Sequence, residues 1–207
     1  MIVIEELEQG SEEWLEARLG IPTASMFSKV ITPTGKPSSQ SEAYRCQLIA
    51  EYLTGQPTAF KVTDAMERGN LLEPAARSAY EFITELDVKE VGLTYLDERR
   101  LIAASPDGLC PDVLGGLEIK CPEAHTHVLN LLSNKMPTKY IPQVQGNIWI
   151  HNAEHWDFMS YHESMEPLIV RVNRDDDYIK KMSTLFDEFI DLMLEGREKL
   201  TQKRIAA

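Results

Sequence analysis

Apolar residues recur at helical spacing most clearly near the end of the chain. Tyr178, Met182, Leu185, Phe186, Phe189, Leu192 and Met193 form one stripe and predict a helix from Asp175 to about Leu200. Its acidic start at Asp175, Asp176 and Asp177 and its basic end at Arg197, Lys199 and Lys203 suit the helix dipole. Tyr44, Leu48, Ile49 and Tyr52 repeat the pattern, predicting a helix from Ser41 to Leu53 closed by Gly55. A shorter helix over Ser11 to Leu19 is capped by Ser11 and puts Trp14 in the core. Another starts at Thr23-Ala24-Ser25 and carries Met26, Phe27, Val30 and Ile31. Between them and the Ser41 helix, Thr32 to Ser41 holds Pro33, Gly35 and Pro37 and reads as a mobile loop. Thr63 to Glu85 is helical in composition, but Pro74 removes a donor and disfavours helical geometry at Glu73, predicting a kink or fresh start there.

Alternating and β-rich runs fill the middle. Val88 to Tyr95 and Arg100 to Ser105 predict an antiparallel pair around Asp97-Glu98-Arg99, and Glu118 to Cys121 a third strand closed by Pro122. Helices near Ala124 to Leu132 and Tyr140 to His151 precede two late strands, Trp156 to Tyr161 and Leu168 to Val172. That order predicts an α/β chain, a single domain over residues 1–207, with a central mixed β-sheet flanked by helices on both faces. At 207 residues the chain is long enough to bury a substantial core.

Composition adds limits. Hydrophobic content of 43% and charged content of 26% are ordinary for a soluble globular protein, and no apolar run reaches transmembrane length. The start, Met1 to Glu6, lacks the basic flank and apolar stretch of a signal peptide, so the expectation is a protein that stays inside the cell, off the membrane. Cys46, Cys110 and Cys121 are odd in number without C-x-x-C spacing, which suggests neither a disulfide framework nor a zinc or iron–sulfur cluster. The net charge of -12 works against duplex binding, which depends on neutralising phosphates; any DNA affinity should be modest and metal-dependent.

The candidate chemistry lies in Ser105-Pro106-Asp107-Gly108-Leu109 and in Gly116-Leu117-Glu118-Ile119-Lys120. The first reads as the end of a strand and a Pro-Asp-Gly turn, the second as a short strand, together a hairpin with a long connection. Glu118 and Lys120 then share one strand face roughly 6.6 Å apart, with Ile119 on the other, and Asp107 reaches the Glu118 side. Two carboxylates can hold a hard divalent cation through oxygen, and a neighbouring ammonium can orient or deprotonate water. Taken alone, the same residues also suit the solvated face of a surface hairpin. Arg18 reads either as a surface ion pair or as a two-pronged phosphate clamp beside the hydroxyls of Thr23 and Ser25. His151 and His155, four apart, lack H-E-x-x-H order and a third ligand for zinc; His125 and His127 read as solvent-facing or capping.

Ser-Pro-Asp, a ten-residue gap and Glu-x-Lys resemble the core of the PD-(D/E)XK nucleases. The fuller set resembles the lambda-exonuclease branch of phage recombination nucleases. It comprises Trp14-x-x-x-Arg18 with Thr23-Ala24-Ser25, Glu73, the SPDGL and GLEIKCP segments, and Tyr140-Ile141-Pro142-Gln143-Val144-Gln145, from about residue 9 to residue 150. The resemblance implies the PD-(D/E)XK fold and a processive 5′-to-3′ exonuclease on double-stranded DNA that releases 5′-mononucleotides. It implies Mg²⁺, with Mn²⁺ as a substitute, as two ions held by Glu73, Asp107, Glu118 and the main-chain oxygen of Ile119. Lys120 would position the attacking water with Gln143 beside it, and Arg18, Ser25 and Ser105 would hold the 5′-phosphate. It further implies a toroidal homotrimer in the cytoplasm of a bacterial host cell, carrying phage or prophage recombination, with a single-strand annealing protein taking the 3′ strands. One departure is Lys36, where a loop arginine is expected to grip the DNA end. The alternatives are another PD-(D/E)XK nuclease, cutting internally or on single strands, and a DNA-binding or assembly module without catalysis.

Overall fold

The structure is a computed structural model describing residues 1–58 and 64–206; Thr63, the expected first residue of the third helix, lies outside the described residues. Its strands are β1 (Ile2–Ile4), β2 (Leu93–Tyr95), β3 (Ala103–Ala104), β4 (Gly108–Cys110), β5 (Gly115–Lys120), β6 (His155–Ser160) and β7 (Leu168–Asn173). The helices are α1 (Glu12–Ala17), α2 (Ser41–Thr54), α3 (Asp64–Thr84), α4 (Ala124–Ser133), α5 (Ile141–His151) and α6 (Asp176–Ala206). The chain is thus α/β with a mixed sheet, as the sequence predicts.

Strand grouping differs from the sequence reading. β1, β2 and β3 form one antiparallel set, whereas β4, β5, β6 and β7 form a second in which only β5 and β6 run parallel. The expected third strand therefore belongs with β6 rather than with β2 and β3. The hairpin is also tighter than expected: β4 turns into β5 through a single 3₁₀ turn, Pro111–Val113, so Pro106-Asp107-Gly108 stands at the entrance of the hairpin and not within its connection. Gly115 and Gly116 permit this, since a Cβ on either would collide with His155 or Trp156 of β6. Strand β1 carries no turn or alternation signal long enough to be read in advance.

Helices cover both faces of the second strand set. Ala76 and Tyr80 of α3 pack with Leu117, Ile119 and Met159, while Val144 and Ile148 of α5 pack with Trp156 on the opposite face. Asp157, on the α3 side, is buried and accepts from Tyr80 Oη at 2.8 Å and twice from Arg171 at 2.9 Å. α3 runs continuously through Pro74, so no fresh helix starts at Glu73. Burial of Ala76 and Tyr80 beyond the proline and the Glu73–Arg77 pair across it hold the helix together against the lost donor.

α2 and α6 pack around Phe27, whose ring centroid lies 4.2 Å from that of Phe186. Tyr44, Leu48 and Ile49 are core residues as expected, but Tyr52 is exposed, lying under the Arg197 guanidinium at 4.4 Å. Leu192 likewise falls outside the α6 stripe and is exposed; Ile179 and Ile190 take buried places instead. Arg197 is not a solvated dipole partner but is 8% exposed, donating to the Gly20 carbonyl. The Thr32 to Ser41 loop is tied by Thr32 to Lys36 and by Tyr178 Oη, which donates to the Thr32 carbonyl at 2.9 Å. No helix among the described residues is long and apolar enough to cross a membrane.

One histidine departs from expectation and another finds partners the sequence does not show. His127 is fully buried, its ring nitrogens 2.9 Å from Ser160 Oγ and 3.0 Å from the Glu166 carbonyl. His151 bridges the Asn147 carbonyl at 2.9 Å and Thr94 Oγ1 at 3.0 Å, both nitrogens thereby engaged away from any zinc pair with His155. Burial lowers the His151 pKa from 6.5 to about 4. The unfolded chain takes up this proton first, so stability is complete above pH 6.5 and is lost as pH falls through 6.5 toward 4. Between pH 7.5 and pH 5 that loss is about 2 kcal/mol, from 1.36 kcal/mol per unit. Urea unfolding at the two pH values should give a smaller loss by that amount in His151→Gln, all other groups cancelling in the difference; identical losses would contradict the assignment.

Candidate active site

β4 begins only at Gly108, opposite Leu117, while β5 continues to Lys120, so the last residues of β5 have no strand beside them on the β4 side. Side chains gather around that edge from both sides of the sheet. Asp107 leaves the line of β4 and its Oδ2 accepts from the Ile119 amide at 2.6 Å. Glu118 and Lys120 point to the α5 face, as period-2 alternation requires, and Lys120 Nζ donates to Glu118 Oε1. Gln143 Nε2 donates to the same oxygen at 2.5 Å, and Asn147 Nδ2, one turn further along α5, donates to Oε2 at 3.2 Å. Glu73 arrives from α3, held by Arg77 Nη2 at 2.7 Å, while Arg77 Nε donates to the Asp107 carbonyl at 3.1 Å.

The electrostatics are those of acids crowded out of water. Glu118 is 0% exposed; burial, followed by repulsion from Asp107, pushes its pKa up to about 7 even against Lys120. Glu73 is also raised to about 7, by burial first and by Asp107 second. Burial raises Asp107, with Lys120 and the Ile119 amide opposing it. Burial pulls the Lys120 ammonium down, but Glu118 and Asp107 outweigh it and leave its pKa above the ordinary lysine value. Lys120 is therefore a fixed cation suited to orienting a water, not to taking its proton.

Three carboxylates that repel one another across two elements and a turn fit a hard divalent cation, which would bind through oxygen and relieve the repulsion. Among the described residues no three His, Cys, Asp or Glu side chains are spaced as a finished metal cage. The acids are instead drawn onto Lys120, Gln143, Arg77 and the Ile119 amide, contacts that a cation would compete for. Glu73, Asp107 and Glu118 are the side chains able to hold it, with the Ile119 carbonyl on the same strand segment.

A second cluster adjoins the first. The Arg18 guanidinium stacks 3.6 Å from the centre of the half-buried Trp14 ring and donates to Thr23 Oγ1 at 3.3 Å; Ser25 Oγ lies 3.4 Å beyond. Burial lowers Arg18 to about 10, which leaves it charged at neutral pH. Trp14 Nε1 donates to Ser105 Oγ at 3.0 Å and to the Gly92 carbonyl at 2.9 Å, joining Ser105 to the group. Trp14 packs against the cluster of Ile21, Leu93, Tyr95 and Ala103, as expected, and its ring is at the same time a platform for Arg18. From Ser25, a cavity of about 210 Å³ lined also by Ser28, Lys139, Tyr140 and Gln143 leads to the residue that touches Glu118.

All nine expected site residues therefore fall into two adjoining clusters. Four neighbours are not singled out by the sequence: Arg77, Asn147, Lys139 and Ser28. The i,i+4 spacings Glu73-x-x-x-Arg77 and Gln143-x-x-x-Asn147 were available as signals that each pair shares a helix face.

Comparison with known proteins identifies a family and a fold. Residues 13–154 match the family of YqaJ-like viral recombinase domains. The chain is 35% identical to LHK-Exo, an alkaline exonuclease of Laribacter hongkongensis, over 95% of this chain and 99% of that one, with a TM-score of 0.84. One crystal structure of LHK-Exo is a complex with dAMP. A phage-related exonuclease of Haemophilus somnus 129PT shares the fold at 17% identity, with a TM-score of 0.65 over 89% of this chain and 96% of that one. Protein R354 of Acanthamoeba polyphaga mimivirus is 28% identical over 169 residues, covering 75% of this chain; the chain spans only 29% of the length of that relative.

Proposed function

The chain belongs to the family of YqaJ-like viral recombinase domains, and we propose that it is a metal-dependent exonuclease that digests double-stranded DNA processively from 5′ ends to 5′-mononucleotides. The observation that carries this reading is the convergence of Glu73, Asp107, Glu118, Lys120 and Gln143 at the free end of β5. Likeness to an alkaline exonuclease over nearly its whole length supports it.

Glu73, Asp107, Glu118 and the Ile119 carbonyl would hold Mg²⁺ or Mn²⁺, as two ions in the fullest form of the site. When bound, such ions supply a more acidic water and charge stabilisation at the departing 3′-oxygen. Lys120 and Gln143 would hold the incoming water, and Arg18 with Ser25 and Ser105 the 5′-phosphate. The separation of these two clusters by the cavity between Ser25 and Gln143 suits one nucleotide lying between its terminal phosphate and the bond to be cut. With a net charge of -12, affinity would depend on these local cations rather than on the whole surface. The same reading makes residues 1–207 one nuclease domain, working as a homotrimer in the cytoplasm of a bacterial host cell and leaving 3′ strands for a single-strand annealing protein.

A duplex labelled at either end and carrying 5′-phosphate or 5′-hydroxyl tests this in Mg²⁺. Mononucleotides released from the 5′ end, faster with phosphate, are expected. Cutting of closed circles or exclusive attack on single strands would replace the reading with one of the other nuclease activities. Arg18→Ala should erase the preference for phosphorylated ends, a loss on the order of 1.5 to 3 kcal/mol for a charge-assisted hydrogen bond, or about 10- to 150-fold in the rate ratio. An unchanged ratio would reject Arg18 as the phosphate contact.

A further inference from the structure

Arg77 engages all three of its guanidinium nitrogens, each on a different partner. Nη2 donates to Glu73 Oε1 at 2.7 Å, Nε to the Asp107 carbonyl at 3.1 Å, and Nη1 lies 2.8 Å from Glu90 Oε1. The side chain is 12% exposed, whereas that of Glu90 is 71% exposed. Glu73 sits on α3 and Asp107 on the turn into β4, and the two carboxylates repel each other. Nothing else among the hydrogen bonds of the described residues joins these two segments at the site.

We propose that Arg77 is a positioning residue that assembles the cation site, its planar fork locking α3 to the Asp107 turn so that Glu73 and Asp107 face a common point. The inference rests on the reading that these acids hold a divalent cation. A guanidinium is suited to the task because its donors are fixed in one plane and reach separate acceptors at once. A lysine ammonium carries the same charge on a single atom and cannot span both segments. Arg77 also offsets the repulsion between Glu73 and Asp107, reaching Asp107 through its main-chain carbonyl and leaving its carboxylate to the Ile119 amide.

The test is Mn²⁺ affinity without DNA, read from the electron paramagnetic resonance signal of free Mn²⁺ during titration of the full chain. Arg77→Gln and Arg77→Lys should weaken binding by about 10- to 100-fold, the usual effect of removing a group that orients metal ligands. Glu90→Gln, which removes only the exposed third partner, should stay within about twofold of the parent. Thermal melts in chelator establish that each variant is folded; should Arg77→Gln fail to fold, Arg77→Lys, which keeps charge and length, decides. Parent-like affinity in a folded Arg77→Lys would overturn the clamp, and so would a parent protein that binds no Mn²⁺. A parent that binds Mn²⁺ yet hydrolyses no DNA would overturn the nuclease reading alone, leaving the clamp to be judged by the affinity ratio.

Discussion

Lys120→Ala is expected to slow DNA hydrolysis by about 10³-fold while leaving binding of duplex ends in place, in line with the loss of one positioned charge-stabilising group. The size follows from its setting. The ammonium donates to Glu118 Oε1, lies 5.6 Å from the centre of the Tyr140 ring and is kept charged by Glu118 and Asp107. Alanine removes the cation that contacts Glu118 and leaves that fully buried carboxylate with only the amides of Gln143 and Asn147. Single-turnover digestion and filter binding on the same duplex separate the two effects. Retained hydrolysis would remove Lys120 from the mechanism, whereas a parent protein inactive in Mg²⁺ would favour an assembly module over an enzyme.

Glu118→Gln is expected to take hydrolysis at least as low and also to abolish stabilisation by divalent cations. A ligand bound only by the folded state stabilises it by about 2.7 kcal/mol at a concentration 100 times its Kd. The parent should therefore melt at higher temperature with added MnCl₂ than in chelator. Glutamine preserves the shape and one of the two acceptors used by the Gln143 and Asn147 amides, but replaces the other acceptor with an NH₂ and removes the central charge of the site, so its melting temperature should not respond. A calorimetric shift in Glu118→Gln equal to that of the parent would place the cation elsewhere.

Those two residues were the most legible in the sequence, because strand alternation alone places Glu118 and Lys120 on one face and Ile119 on the other. The ends of α2 and most of the α6 stripe were legible for the same kind of reason, a period that survives tertiary packing. Glu73 was harder. Local chemistry around Pro74 predicted a break, but packing of Ala76 and Tyr80 against β5 and β6 carries α3 through the proline and presents Glu73 from mid-helix. The place of Asp107 was not legible: the hairpin begins after it, and its carboxylate caps the Ile119 amide that the short strand β4 leaves free.

What stayed hidden depends on partners distant in sequence. His127 looks like a surface residue on a helix until Ser160 and the Glu166 carbonyl close around it. Arg197 reads as a dipole partner until it is buried on the Gly20 carbonyl, next to the segment that carries Arg18. Arg77 and Asn147 were each one helical turn from a residue already singled out, yet only the folded chain shows what they hold. The division of the strands into two sets was equally invisible, since short runs such as Ala103–Ala104 carry no register signal of their own.

Diffraction from crystals soaked in manganese chloride, measured for anomalous scattering, addresses the site itself. The arrangement at the end of β5 predicts a peak bounded by the carboxylates of Glu73, Asp107 and Glu118 and the carbonyl oxygen of Ile119. A well-ordered, open site with no anomalous density among those oxygens would contradict it.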